Sequence, residues 1–206
     1  MVRLETDRLI IRDYRESDLH DYHKLLSDKK NMYYLDDIAT NTFEESRKSL
    51  KEAIKLNKIG KARRFCVVIK ETRQFAGACG YDITTPPVTG IGDSEQVPGN
   101  VETFHVITTE TPAGKTGHMG WFIMPEFQNK GYITEAAKKV LEFAFLQDNC
   151  MRITTGCYKD NIPTQKVIAK IGFKQEAENV RRHDGQMKER LDFSLNKNEF
   201  IGMYCK

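Results

Sequence analysis

Residues 121–136, Trp-Phe-Ile-Met-Pro-Glu-Phe-Gln-Asn-Lys-Gly-Tyr-Ile-Thr-Glu-Ala, join an apolar run to an amphipathic one through a short polar loop. They predict a strand that ends at Pro125 and a helix that begins after Gly131. The first turn of a helix has unpaired N–H groups and a partial positive charge, and glycine lets the backbone approach a ligand closely. With the added charge of Lys130, this geometry suits a phosphate or pyrophosphate group.

The helix predicted after the loop carries one apolar face, which indicates that it packs on a sheet. That face consists of Ile133, Ala136, Ala137, Val140, Leu141, Ala144 and Phe145. Further helices are predicted to begin at Ser17 or Asp18, at the capping box Thr42–Glu45, and at Asn161. Strands are predicted at 8–13, 65–70, 75–83, 117–124, 152–158, 179–183 and 190–195. This order predicts an α/β (α+β) fold with a mixed, mostly antiparallel sheet of about seven strands flanked by helices.

The length of 206 residues suits one domain, and we expect residues 1–206 to form it. The segment at about 84–117 breaks the pattern and holds four prolines. It is predicted to be an inserted long loop or hairpin, with a possible strand at 101–109, and long loops of this kind are often functional.

Composition excludes several classes of protein. No apolar run approaches the roughly 18 residues of a membrane span, and residues 1–6 lack the apolar core of a signal peptide. The net charge of +3, with scattered Lys and Arg, does not favour nucleic acid as a partner. The five cysteines are odd in number and include no C-x-x-C pair, so neither a disulfide framework nor a metal site is expected. We expect a cytoplasmic protein.

Residues 128–133, Gln-Asn-Lys-Gly-Tyr-Ile, resemble the acetyl-CoA pyrophosphate loop of the GNAT acetyltransferases, whose pattern is Gln/Arg-x-x-Gly-x-Gly/Ala. The opening Leu-Glu-Thr-Asp-Arg-Leu of residues 4–9, the segment at Asn161 and the closing Lys-Ile-Gly-Phe of residues 170–173 extend the likeness over nearly the whole chain. Together they resemble the branch that contains ribosomal-protein N-terminal acetyltransferases. Ile133 departs from the pattern, but binding is still expected because backbone amides contact the phosphates.

The resemblance implies acetyl-CoA as co-substrate and no metal. In this family the parallel strands that match 117–124 and 152–158 splay apart, and the pantetheine arm lies between them. The residues implied to bind acetyl-CoA are Phe122, Ile123, Met124, Gln128, Asn129, Lys130, Gly131, Tyr132, Ile133, Thr134, Asn161 and Thr164. Helix capping is an alternative role for Asn161.

The implied reaction is direct attack of an amine on the thioester in a ternary complex, so the amine must lose a proton and the thiolate gains from receiving one. Thr164 matches a hydroxyl residue that some relatives use near the thiol, and otherwise it bonds to the helix backbone. His118 occupies a position where the family often has a carboxylate. It is the candidate base, with a structural histidine as the alternative. Weaker candidates are Glu102, His105 and Glu110.

The acceptor is expected to be a protein N-terminus or a small amine, and the chain a monomer or homodimer. Four acidic residues against Lys115 in the 84–117 segment would favour a cationic amine if that segment lines the acceptor site. A rival hypothesis is a CoA-binding module without catalysis, because Ile168 stands where relatives have a tyrosine that protonates the thiolate. Gly-Lys-Thr at 114–116 resembles the end of a P-loop, the phosphate-binding motif of ATPases and kinases. However, Thr109 stands at the first glycine position and a strand rather than a helix follows, so neither function is expected.

Overall fold

The computed structural model describes residues 1–35, 37–84 and 114–204, and within these ranges eight strands form one sheet. The strands are β1 (Arg3–Glu5), β2 (Leu9–Asp13), β3 (Ala62–Ile69), β4 (Phe75–Thr84), β5 (Lys115–Ile123), β6 (Cys150–Tyr158), β7 (Lys174–His183) and β8 (Gln186–Asn196). Their spatial order is β1-β2-β3-β4-β5-β6-β8-β7, and β5 and β6 are the parallel pair. The predicted fold class is confirmed. The expected strand count was one too low because β1, with three residues, is too short to show a pattern.

The described residues also contain five α-helices. They are α1 (Leu19–Leu26), α2 (Phe43–Lys58), α3 (Tyr132–Glu142), α4 (Ile162–Lys170) and α5 (Lys197–Tyr204). A π-helical turn, Phe143–Gln147, continues α3, and a 3-10 turn, Tyr33–Leu35, lies between α1 and α2. Sequence analysis missed α5 because Phe200 is its single buried residue, so no apolar stripe marks it.

Two apolar clusters cover the two faces of the sheet. One contains the predicted stripe of α3 together with Ile168 of α4 and Phe200 of α5. The other contains residues of α1 and α2, among them Leu25 and Leu50. The sheet is therefore sandwiched, with α3, α4 and α5 on one face and α1 and α2 on the other. We call these the α3 face and the α1/α2 face.

The paired end of β5 and β6 is fastened by the carboxylate of Asp148, which lies just before β6 and whose side chain is 9% exposed. Its oxygens accept hydrogen bonds from the hydroxyl of Tyr81 at 2.7 Å, from Nζ of Lys115 at 2.7 Å and from the guanidinium of Arg63 at 3.1 Å. Partial burial acts to raise the pKa of Asp148, but these donors hold it below its usual value. Three strands are thus joined at one ionised side chain.

The cysteines at 66, 79, 150 and 157 are buried and form no disulfide with one another. Burial raises the pKa of Cys157 to about 11, which disfavours the nucleophilic thiolate at neutral pH. Of the 84–117 insertion, residues 85–113 lie outside the described residues, and with them the possible strand at 101–109 and the candidates Glu102, His105 and Glu110. Among the described residues, no helix is long and apolar enough to cross a membrane.

Candidate functional site

The central feature of the site is a gap between β5 and β6. The two strands pair from Lys115↔Cys150 to His118↔Thr154, and their pairing ends there. Both strands continue, β5 alongside β4 as far as Ile123 and β6 alongside β8 as far as Tyr158. The predicted splayed parallel strands are therefore present, with the point of divergence at His118 and Thr154.

Side chains take over the hydrogen bonding where the strands part. The hydroxyl of Thr154 lies 3.0 Å from Nδ1 of His118 and 3.3 Å from the carbonyl oxygen of Gly117. The buried hydroxyl of Thr155 donates to the carbonyl oxygen of Met119 at 2.9 Å. Beyond this point the edge of β5 that faces β6 has no strand partner among the described residues, so its backbone groups can bind a ligand instead.

The loop that follows β5 turns sharply into α3. Asn129 has φ 60° and Gly131 has φ 78°, both in the left-handed region, and α3 begins at Tyr132. Because Gly131 is the N-cap residue and has no side chain, it does not cap the first turn of α3. The unpaired N–H groups of that turn therefore lie at the end of β5, beside the gap.

The side chain of Ile133 is directed into the core, where it is 9% exposed. The larger residue at this position of the loop pattern therefore does not cover the helix start. Lys130 lies with its Nζ 5.6 Å from the ring centre of Phe127, and no described acid pairs with it. Its charge is available to an anion at the loop.

Arg8, just before β2, and Glu135, in α3, support the loop. Sequence analysis did not assign a role to either residue. The Arg8 guanidinium donates to the carbonyl oxygen of Lys130 at 3.1 Å and lies 2.6 Å from the Glu135 carboxylate. Thr6 donates to the same carboxylate at 2.5 Å. Arg8 and Lys130 both lie in segments that carried the family resemblance, and that resemblance was the signal that could have identified their contact.

On the α1/α2 face of β5, three residues point the same way, because alternate residues of a strand share a face. They are His118, Gly120 and Phe122, of which Phe122 packs against the cluster formed by α1 and α2. No described atom lies within 4 Å of a Cβ placed on Gly120. This open space above Gly120, next to the gap and adjoining His118, is called the Gly120 groove.

His118 is exposed, but the protein around the imidazole replaces part of its hydration. This desolvation lowers its pKa, and the positive charge of Arg190 on β8, which lies beyond β6 in the sheet, acts in the same direction. The imidazole is therefore neutral at neutral pH and can accept a proton.

A segment between α1 and α2 bridges the far end of the gap. Asn31 donates to the carbonyl oxygen of Ile123 at 3.1 Å and accepts from the side chain of Gln128 at 2.8 Å. Two residues further on, the Tyr33 hydroxyl accepts from Nζ of Lys188 at 2.9 Å, and the ring of Tyr34 lies 6.0 Å from that of Tyr158. Residues 31–34 thus contact both walls of the gap.

On the opposite face, α4 begins beside the end of β6. The side-chain oxygen of Asn161 accepts from the backbone N–H of Thr164 at 3.3 Å, so the capping role predicted as the alternative for Asn161 is present. Ile168 is 1% exposed and belongs to the core. The two candidate catalytic residues therefore belong to different faces of the sheet, His118 to the α1/α2 face and Thr164, as part of α4, to the α3 face.

In the part of the chain that the structure describes, no group of three or more His, Cys, Asp or Glu side chains is arranged to hold a metal ion. The polar groups collected here are instead unpaired backbone N–H groups, one lysine, one neutral imidazole and hydroxyl groups. Such a set can bind an anion, hold an extended amide-containing arm by its backbone and move one proton.

Comparisons with known proteins are consistent with this chemistry. The sequence of residues 8–174 matches the family described as "Acetyltransferase (GNAT) domain". Over 175 residues the chain is 27% identical to the uncharacterized N-acetyltransferase YnaD of Bacillus subtilis (strain 168), which covers 85% of this chain and 84% of that protein.

Two solved structures share the fold at low sequence identity. Ribosomal-protein-S5-alanine acetyltransferase from Vibrio fischeri superposes with a TM-score of 0.74 at 21% identity, covering 97% of this chain and 99% of that one. Spermidine N-acetyltransferase from Vibrio cholerae, solved in complex with CoA and spermine, has a TM-score of 0.72 at 16% identity and covers 95% and 99%.

Proposed function

Because the chain belongs to the GNAT acetyltransferase family, we propose that it transfers an acetyl group from acetyl-CoA to a primary amine by direct attack in a ternary complex. The predicted family is thereby confirmed, and the chain is an acyltransferase. The observation that carries the proposal is the gap between β5 and β6 directly beside the uncapped first turn of α3.

The donor occupies two adjoining features in this proposal. Its pyrophosphate binds the loop of Gln128, Asn129, Lys130 and Gly131 and the first N–H groups of α3, contributed by Tyr132, Ile133 and Thr134. The pantetheine arm then runs into the gap along the backbone of Phe122, Ile123 and Met124, where the carbonyl of Ile123 and the N–H of Met124 are already bonded to Asn31 and to Ala76. Asn161 and Thr164 lie at the start of α4, on the α3 face of that gap.

The acceptor enters from the α1/α2 face through the Gly120 groove. Its amine nitrogen attacks the thioester carbon, the carbon–sulfur bond breaks, and the sulfur departs as a thiolate. His118 takes the proton that the acceptor ammonium must lose, directly or through water, before its neutral nitrogen can attack, and the second proton that leaves the nitrogen balances the protonation of the thiolate. The hydroxyl of Thr164 donates to the departing sulfur. Holding amine and thioester together supplies a large share of the rate.

Two acceptor classes are retained, a protein N-terminus and a small amine. The solved relatives represent both, since one is named for alanine of a ribosomal protein and the other for spermidine. In both cases the reacting group is a primary amine that must be deprotonated next to the thioester, which is the chemistry that His118 at the point of divergence supports.

Binding and turnover test the proposal separately. Acetyl-CoA at 100 times its Kd should raise the free energy of unfolding by about 2.7 kcal/mol, whereas ATP at the same concentration should leave it unchanged. Release of free thiol should then follow when peptides or small amines are added. Stabilisation by ATP alone would contradict the donor assignment, and stabilisation by acetyl-CoA without thiol release for any amine would favour the binding module.

The acceptor route predicts that Gly120→Leu raises the KM for the amine about tenfold, because the side chain fills the groove that the acceptor crosses. The Kd for CoA should change less than twofold, since the added atoms lie on the α1/α2 face. Gly202→Leu is the matched control, as a Cβ at Gly202 also meets no described atom within 4 Å but lies in α5, away from the gap. Equal KM values for the two variants would exclude this route.

A further inference from the structure

We propose that Arg8 is a positioning residue for the pyrophosphate loop: it holds the carbonyl of Lys130 so that the N–H of Gly131 is directed at the anion. This inference rests on the proposed function, because the anion is the pyrophosphate of acetyl-CoA. It assigns a role to the opening segment at residues 4–9, which carried the family resemblance but no part of the chemistry.

The contacts of Arg8 link β2 to the loop across 122 residues of sequence. One guanidinium nitrogen donates to the carbonyl oxygen of Lys130 at 3.1 Å, and Nε donates to Glu135 at 2.7 Å. The guanidinium also lies 4.6 Å from the ring centre of Tyr132, the first residue of α3. A single side chain therefore contacts the loop, the helix start and the first turn of α3.

The direction of the Gly131 N–H follows from the geometry of the peptide group. A trans peptide is planar, and its C=O and N–H bonds point in opposite directions. The carbonyl of Lys130 and the N–H of Gly131 belong to the same peptide group. Because Arg8 binds that carbonyl from the β2 side, the N–H is turned to the other side of the loop.

The contact with Arg8 is needed because the peptide group between Lys130 and Gly131 would otherwise be free to rotate. Gly131 has φ 78° and flanks it on one side, and glycine populates several backbone regions at little cost. Without a partner for the Lys130 carbonyl, the peptide could flip and present an oxygen to the phosphates. Arg8 removes that alternative before the ligand arrives.

Arg8 has a second function, which is to offset the negative charge of Glu135. Its carboxylate lies in the first turn of α3, where it favours the helix but would repel a phosphate. Partial burial acts to raise the pKa of Glu135, but hydrogen bonds from Thr6 and Arg8 hold it below the usual value, so it stays ionised. The ion pair with Arg8, at 2.6 Å, offsets that negative charge locally.

The test is Arg8→Gln, studied by calorimetric titration with CoA and by kinetics with two donors. The Kd for CoA should rise about tenfold, as expected for the loss of a charge-assisted contact that orders the site. Turnover with S-acetylpantetheine, which lacks the pyrophosphate, should stay within twofold of the wild type. Arg3→Gln is the control, because Arg3 pairs with Glu5 at the exposed surface of β1 and should leave both values unchanged.

Arg8→Lys keeps the charge but cannot contact Glu135 and the Lys130 carbonyl with one planar group, so we expect an intermediate Kd. It also provides the measurement if Arg8→Gln does not fold. A wild-type Kd for CoA in Arg8→Lys and Arg8→Gln would overturn the inference, as would an equal loss of turnover with S-acetylpantetheine. Failure of the wild type to bind CoA would instead overturn the proposed function itself.

Discussion

His118→Gln should lower kcat about a hundredfold at neutral pH and leave the Kd for CoA unchanged. Removing a general base costs roughly 10²–10⁴-fold in rate, and the lower end applies where water can substitute at an accessible site. Glutamine keeps the size and one hydrogen bond to Thr154 but cannot take a proton. The measurement is steady-state turnover with acetyl-CoA and an active amine, together with calorimetric titration of CoA.

The pH profile provides a second readout for His118. A base works in its deprotonated form, so activity is present above the pKa of the imidazole and is lost as the pH falls through it. Desolvation of the ring, followed by the charge of Arg190, lowers that pKa, which places the acidic limb below the ordinary pKa of a histidine. The limb should disappear in His118→Gln and persist in His20→Gln, a change at an exposed position of α1. An unchanged profile would show that His118 is structural.

Gly131→Val should raise the Kd for CoA by about a hundredfold. A β-branched residue strongly disfavours the left-handed backbone that Gly131 adopts at φ 78°, at a cost of roughly 1–3 kcal/mol. The loop can escape this strain by rotating, which takes its N–H groups away from the pyrophosphate. Each 1.4 kcal/mol corresponds to a factor of ten in affinity. Calorimetric titration with CoA measures the change.

Gly185→Val separates strain from function in this experiment. Gly185 has φ 74° at the tip of the β7–β8 hairpin, and a Cβ there meets no described atom within 4 Å. Both variants should therefore lose similar amounts of unfolding free energy in urea, but Gly185→Val should bind CoA like the wild type. If Gly131→Val bound CoA normally despite the same loss of stability, the loop would not be the pyrophosphate site.

Local sequence patterns were sufficient to predict helices that have a regular apolar spacing or a capping box. The stripe from Ile133 to Phe145 predicted α3 and its buried face because helical periodicity is visible in sequence. The capping box at Thr42 and Glu45 fixed the start of α2 in the same way. Strand ends were less well predicted, since β5 begins at Lys115 rather than at Gly117.

The features that the sequence did not predict depend on contacts between segments that are far apart along the chain. Arg8 meets Lys130 and Glu135 only once β2 lies beside α3, and no local periodicity encodes that meeting. The open space above Gly120 is likewise a property of what packs nearby. The residues that bridge the gap, Asn31 and Tyr34, belong to an irregular segment without a periodic pattern.

Asp148, which lies just before β6, holds β4 and β5 against β6 through Tyr81 and Lys115. From His118, where the pairing with β6 ends, to Ile123 the strand β5 extends about 17 Å at roughly 3.3 Å per residue. Because β4 pairs with β5 as far as Ile123, the two strands can only turn together, and a rotation of about 7° at His118 would move their far end by about 2 Å, which is comparable to the length of a hydrogen bond. The width of the gap therefore depends on the angle at which a carboxylate at the opposite end of the strands holds β4 and β5 against β6.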